Sequence, residues 1–342
     1  MRGLEAHSLI GRLRRRADRQ RLIGRAIRRR KALRVLEDRT GQIVPGDILC
    51  LVTLRDERVR LPYFLDYYRA LGVRHFLMVD NASRDGSGDY LRAQPDVSLW
   101  WTDHSYKGAR FGMDWINWLL LRHGRGHWCL TVDPDEFLVY PHMDHRPLPA
   151  LTGWLEATGR RSFPAMLLDM YPRGPVEHAI CAEGQNPFDI ARWFDPANYS
   201  IQKNTYFGNL WIQGGPRTRA FFAHDPLSSP ALNKIPLVKW SARYAYVSST
   251  HMLLPRGLNL LYDEDGGELV AGCLLHAKFL SSLAAKSAEE LERRQHYGGS
   301  QEYRAYHAGL HQGVQLWCSE SREFHDWRQL EDLGLLSRGN WA

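Results

Sequence analysis

The chain has 342 residues, 44% of them apolar and 24% charged, an ordinary globular composition that excludes a disordered or low-complexity chain. Its cysteines, at 50, 129, 181, 273 and 318, show neither zinc spacing nor a disulfide framework, and Cys50 and Cys129 lie in apolar runs that read as core. The net charge of +7 does not mark a nucleic-acid binder: residues 1–40 hold 13 Arg and one Lys against four acids, a net +10, which leaves −3 for the rest.

Residues 8–37 place Leu9, Leu13, Ala17, Ile23, Ile27 and Leu33 near helical spacing among arginines, which predicts a basic amphipathic helix. Such a helix either lies on an anionic membrane surface or packs its apolar stripe on its own domain. Thr40-Gly41-Gln42 and Pro45-Gly46 mark a linker. From Asp47 the pattern alternates: strand Ile48–Leu54, helix Leu61–Leu71, strand His75–Val79, helix Tyr90–Ala93, strand Val97–Thr102, helix Ala109–His123, strand Trp128–Val132. That alternation predicts an α/β fold with a mostly parallel central sheet flanked by helices. A further strand is expected at Phe163–Met170, irregular structure over 171–250, a helix at Ala284–His296, and helical structure from there to Ala342. No apolar run approaches a membrane span. The N-terminal stretch lacks the apolar core and cleavage site of a signal peptide, so a cytoplasmic setting is expected, peripheral to the inner membrane face if the basic helix binds lipid.

Asp133-Pro134-Asp135-Glu136-Phe137 is the segment richest in chemistry. It follows a buried-strand pattern, so three carboxylates stand at a strand's C-terminal end, the edge where open α/β sheets bind ligands. Carboxylates this close repel one another and resist burial; a divalent cation removes both penalties. Oxygen donors of this kind suit magnesium or manganese, which draw remaining ligands from water and substrate phosphates. The competing reading is a solvated acidic turn. Two other strand ends are polar: Arg55-Asp56-Glu57, and Asp80-Asn81-Ala82-Ser83. Either alone is ordinary turn and capping chemistry, but together with the acidic segment they make one polar rim.

These motifs, with Gly72-Val73-Arg74-His75-Phe76, Gly214-Gly215-Pro216-Arg217, Lys234-Ile235-Pro236-Leu237-Val238-Lys239-Trp240, His251 and Leu275-His276-Ala277-Lys278-Phe279, resemble the GT-A glycosyltransferases. Within them the likeness is to the bacterial family-2-like branch with Arg-Asn-Glu and Asp-x-Asp-Glu-Phe motifs. The resemblance covers roughly residues 47–305. Asp56 departs from it, standing where the branch usually has Asn. The resemblance implies a GT-A catalytic domain over 45–283, with a basic helical extension and linker at 1–44 and a helical segment at 284–342. It also implies a metal-dependent, inverting transfer of a sugar from a nucleotide-diphospho-sugar, UDP-linked, to a saccharide or lipid-linked acceptor.

Carried over residue by residue, the resemblance gives Asp80 the nucleobase, with Asn81 beside it, and lets Arg55 and Glu57 line the nucleotide pocket. Asp133 faces the ribose or the metal. Asp135 holds the manganese or magnesium ion, His276 completes the metal shell, and Lys278 neutralises phosphate. His276 also fits a core histidine at a strand end. Gly214–Arg217 suits either an approach to the sugar, with Arg217 or Arg219 contacting acceptor or phosphate, or a plain tight turn. Trp193, Phe194, Tyr199, Tyr206, Phe207 and Trp211 either stack on sugar rings or close a core. The general base has five candidates, Glu136, Asp169, Glu183, Asp225 and His251, of which Glu136 and His251 are preferred. The competing functions are a nucleotidyl- or phosphotransferase on a similar metal–phosphate rim, and a non-catalytic membrane-associated scaffold. Nucleic acid is not an expected partner.

Overall fold

A computed structural model describes residues 8–260, 269–283, 286–288, 304–309 and 313–342. In chain order its elements are α1 (Leu9–Arg29), β1 (Arg34–Glu37), β2 (Ile48–Leu54), α2 (Leu61–Leu71), β3 (His75–Asp80), α3 (Ser87–Arg92), β4 (Val97–Trp101), α4 (Met113–His123), β5 (Trp128–Thr131), β6 (Glu136–Val139), α5 (Leu148–Ala157) and β7 (Ser162–Asp169). There follow β8 (Trp193–Phe194), β9 (Tyr199–Asn204), β10 (Asn209–Gly214), α6 (Gly215–Phe221), β11 (Asn233–Lys239), β12 (Ala245–Ser248), β13 (Met252–Leu254), β14 (Gly272–His276), β15 (Arg322–Glu323) and α7 (Trp327–Asp332).

The α/β expectation holds, in a large mixed sheet. Nine strands lie in the order β1-β4-β3-β2-β5-β11-β7-β14-β6. The run β4-β3-β2-β5 is parallel throughout. β11 is antiparallel to both β5 and β7, β14 is parallel to β7, and β6 is antiparallel to β14. Six strands therefore share one direction, and β1, β11 and β6 oppose them.

The period-two alternation of side chains sorts the apolar residues onto two faces. From β2, Cys50, Val52 and Leu54 enter the core that α2 and α5 cover, through Phe64, Leu65, Tyr68 and Leu151. Leu49 and Leu51 enter the opposite core, where Trp115, Ile116, Leu119 and Leu120 of α4 pack with Tyr246 and Leu253. α2 begins with Pro62 in its first turn and stops at Gly72, whose φ of 102° ends the helix in the left-handed region.

Three expectations need correcting. The N-terminal helix ends at Arg29, and Arg34–Glu37 is an edge strand, antiparallel to β4, inside the expected extension. The strand is held by its pairing with β4, Arg34 opposite Trp101 and Val35 opposite Trp100. Residues 171–250 are not irregular: they supply β8 to β12, including β11 at the centre of the sheet. Pro236 obscures β11, because proline lacks a ladder donor. It falls where the register of β11 against β7 shifts, between Lys234 and Leu237, and such a shift accommodates it. Residues 313–342 hold one short helix, α7, and pack Trp327, Leu330, Leu336 and Trp341 onto the main core. The expected helix Ala284–His296 falls mostly outside the described residues.

Candidate active site

Strand direction determines which side chains meet. β3, β2, β5, β7 and β14 all end at one edge of the sheet, and antiparallel β11 and β6 begin there. That edge carries Arg55, Asp80, Asp133, Asp135, Glu136, Asp169, Lys234 and His276. The strand order turns back between β2 and β5, the position where open α/β sheets form a ligand crevice. A small cleft opens there, lined by Thr53, Thr131, Asp133, Glu136, Ser249 and Thr250 among others.

His276 is in register with Asp169 on β7 and with Glu136 on β6, so the three share one rung of the sheet. Its Nδ1 lies 2.7 Å from Asp169 Oδ1, and its Nε2 lies 3.3 Å from Asp135 Oδ2. The amide of Ala277 donates to the Asp135 carbonyl at 2.8 Å, locking the acidic loop to the end of β14. The other Asp169 oxygen accepts from Arg217 Nε at 2.6 Å. Burial opposes charge on every member of this chain, yet the pairings win. Arg217 and His276 hold Asp169 below its ordinary range, His276 and Arg60 hold Asp135 well below it, and the two carboxylates raise His276.

Glu136 is buried, with Oε1 2.9 Å from Lys234 Nζ and Oε2 accepting the Asp133 amide at 3.2 Å. With both oxygens engaged it braces the loop, and the geometry does not suit the general base expected of it. Asp133 sits deep in the cleft but keeps half its side chain open, 3.7 Å from Lys234. Burial, then the neighbouring Glu136, raises it to about 7 against the pull of Lys234.

The expected metal set Asp133, Asp135 and His276 does not converge. Asp135 and His276 meet, Asp133 turns to Lys234, and among the described residues no three His, Cys, Asp or Glu side chains gather around one point. The Asp135–His276 pair still fits a divalent cation. It offers a hard oxygen and an imidazole nitrogen at the same sheet edge, and magnesium or manganese commonly takes only one or two protein ligands beside substrate phosphates and water.

Asp80 is buried, and its Oδ1 accepts the Ser83 amide at 2.8 Å, so it does cap the turn that follows β3. Burial raises its pKa, against the hydrogen bonds from Ser83. Asn81 Nδ2 donates to the carbonyls of Thr102 and His104, and Arg55 donates to those of Asn81 and Ala82. These two residues staple three strand ends together. Asp56 adopts a φ of 52°, a region that Asp and Asn both tolerate, and accepts the Arg84 amide at 2.6 Å. Asn would meet that requirement equally. Glu57 pairs with Arg60 at 2.7 Å and with Lys286. Lys278 lies over the Tyr306 ring, 4.7 Å from its centroid.

His251 sits on the β12–β13 turn, next to the cleft residues Ser249 and Thr250. Its Nδ1 is 2.6 Å from the Asn233 carbonyl, and its ring is 6.0 Å from that of Trp211. A carbonyl can only accept, so Nδ1 carries the hydrogen of this bond. Arg217, expected at acceptor or phosphate, is instead buried against Asp169. Arg219 bonds Asp195 at 2.9 Å. Among the aromatics, Phe194 is core, while Tyr206, Phe207 and Trp211 line an open groove with Arg14, Gln202, Lys203 and Asn204.

Sequence reasoning missed Lys234 and Arg60 as site residues. Each is a buried cation beside an acidic loop, and the Lys-Ile-Pro-Leu segment that holds Lys234 was visible as a motif without a role. No protein-family model matches the chain, and no curated protein matches it.

Proposed function

We propose that this chain is a glycosyltransferase of GT-A type, which transfers a sugar from a nucleotide-diphospho-sugar, UDP-linked, to a saccharide or lipid-linked acceptor, with inversion. One observation carries the reading: a single sheet edge, beside the strand-order reversal, gathers a buried carboxylate suited to a base (Asp80) and a carboxylate–imidazole pair suited to a metal diphosphate (Asp135, His276).

A divalent cation bound there supplies Lewis-acid stabilisation of the departing diphosphate. The chain's own residues do the rest. Asp80 accepts a hydrogen bond from the nucleobase through the oxygen that Ser83 does not use. Arg55 and Asn81 hold the walls of the nucleotide pocket. Asp169, bonded to Nδ1 of His276, keeps the imidazole turned so that Nε2 faces Asp135, the arrangement that orients metal-ligating histidines. Lys234 holds the acidic loop and adds positive charge beside the phosphates. His251, on the turn beside the cleft, is the candidate to take the acceptor hydroxyl proton.

The test is a thermal-shift screen of UDP-, GDP-, dTDP- and CMP-linked sugars with and without manganese. A ligand at one hundred times its Kd stabilises the native state by about 2.7 kcal/mol. A manganese-dependent shift with one nucleoside-diphosphate sugar, and nucleoside diphosphate as product, supports the reading. Release of nucleoside monophosphate or free phosphate points instead to a nucleotidyl- or phosphotransferase, and no response to any donor removes the proposal.

A further inference from the structure

We propose that the outward face of α1 docks on an anionic lipid bilayer. The proposal is independent of what the strand-end cleft does. At 3.6 residues per turn, α1 carries two apolar stripes on opposite sides. One holds Gly11, Leu22 and Ala26, all buried. Leu22 packs with Ala245 and Leu254, Arg25 on the same side bonds Asp114 at 2.8 Å, and Arg15 donates to the Tyr206 carbonyl at 3.3 Å. This stripe fixes the helix to the domain and accounts for its inward arginines.

The opposite stripe holds Leu9, Leu13 and Ile27, with Ile10 at its shoulder. These are 64%, 57%, 37% and 60% exposed. Gln20 lies in the same row, and exposed Arg12 and Arg16 flank it on one side and Arg14, Arg21 and Arg28 on the other. The helix's single acid, Asp18, lies away from the exposed stripe. A narrow apolar row between arginines is the pattern of a helix lying in the bilayer interface. Its apolar side chains enter the acyl boundary, while the arginine stems reach sideways to anionic headgroups. The row is too broken by Gln20 and Gly24 to be half of a protein core. A phosphate-backbone ligand would use the arginines but leave the leucines exposed. No described helix is long and apolar enough to cross a membrane, so α1 lies on the surface.

The test uses the full chain and sedimentation with vesicles of phosphatidylcholine, alone or with about 30% phosphatidylglycerol, an anionic surface. Binding is expected to the mixed vesicles and not to the neutral ones. It should fade as salt rises from roughly 0.1 to roughly 0.5 M, which shortens the screening length. Two variants are compared, Leu9→Ser/Leu13→Ser and Arg12→Gln/Arg16→Gln. Each alters only exposed side chains, so the melting temperature should be unchanged. The apolar pair should lower vesicle affinity at least ten-fold, and the arginine pair by about five-fold per residue. Failure to bind mixed vesicles, or equal binding to neutral ones, overturns the proposal. Loss with the arginine pair alone also overturns it, since it marks a polyanion site in place of a bilayer site.

Discussion

Asp169 and Arg217 form an ion pair with almost no water around it, at 1% and 3% exposure. Removing one partner of a buried pair of this kind costs about 3–5 kcal/mol. Asp169→Asn should therefore lower the unfolding free energy by about that amount in urea, and Asp169→Asn/Arg217→Met should recover most of it. Equal losses in the single and double variants would show that the pair is not the source. A second expectation concerns pH. His276 is raised above its ordinary value and Asp133 stands at about 7. In both cases the folded state holds protons that the unfolded chain gives up at lower pH, so metal-free stability should fall as pH rises through 7. For Asp133 the decline begins near the unfolded carboxylate value, and for His276 near 6.5. Metal binding through His276 must expel its proton, so manganese affinity should rise as pH passes upward from about 6.5. Calorimetry in buffers of different ionisation enthalpy counts the released protons, and an affinity flat between about pH 6 and 8 would contradict the assignment of His276 as ligand. At this scale the acidic residues were legible, because a carboxylate cluster after an apolar run stands out. Their partners were not: Arg217 and Lys234 are far away in sequence, and only the order of the sheet brings them in.

β14 shows how tightly an element must fit to present its last residue. A methyl group on Gly272 would stand 2.6 Å from the Val139 carbonyl and 2.9 Å from the Phe163 ring. Neither neighbour yields readily, one being backbone and the other a fully buried ring. Gly272→Ala should cost about 1–3 kcal/mol by overpacking, and it should weaken manganese binding by displacing His276 four residues on. A variant as stable as the parent would mean that β14 can shift without harm. Regular strands such as β2 and β3 were legible from apolar runs bounded by turn residues. β11 was hidden by Pro236, and β1 by the arginines that continue the charge pattern of α1. In both, pairing with neighbouring strands outweighs the local signal.

The whole molecule does not divide at residue 44. β1 belongs to the main sheet, and α1 lies along α4, where Arg25 neutralises a fully buried Asp114 with help from Arg110 at 3.7 Å. Deleting residues 1–40 removes an edge strand and takes from that carboxylate its closest cation, leaving Arg110 at 3.7 Å. The truncated chain should lose its cooperative unfolding transition or melt far below the parent, as circular dichroism would register. An unchanged melting curve would restore the view of 1–44 as a separable extension. Composition and alternation were enough for the α/β class, because they report directly on which faces are buried. The route of the chain through β11, β14 and β6 was not readable, since those pairings join segments far apart in sequence. Yet that route creates the site by bringing His276, Asp169 and Asp135 together at the end of a sheet whose other half carries Asp80. The most direct test of this account is a crystal grown with UDP and manganese, with the metal located by anomalous scattering. The account predicts one strong peak within about 2–2.5 Å of His276 Nε2 and an Asp135 oxygen, bridged to the diphosphate, with uracil against Asp80. A metal bound without Asp135 and His276, or a nucleotide seated away from the β2–β5 crevice, would contradict it.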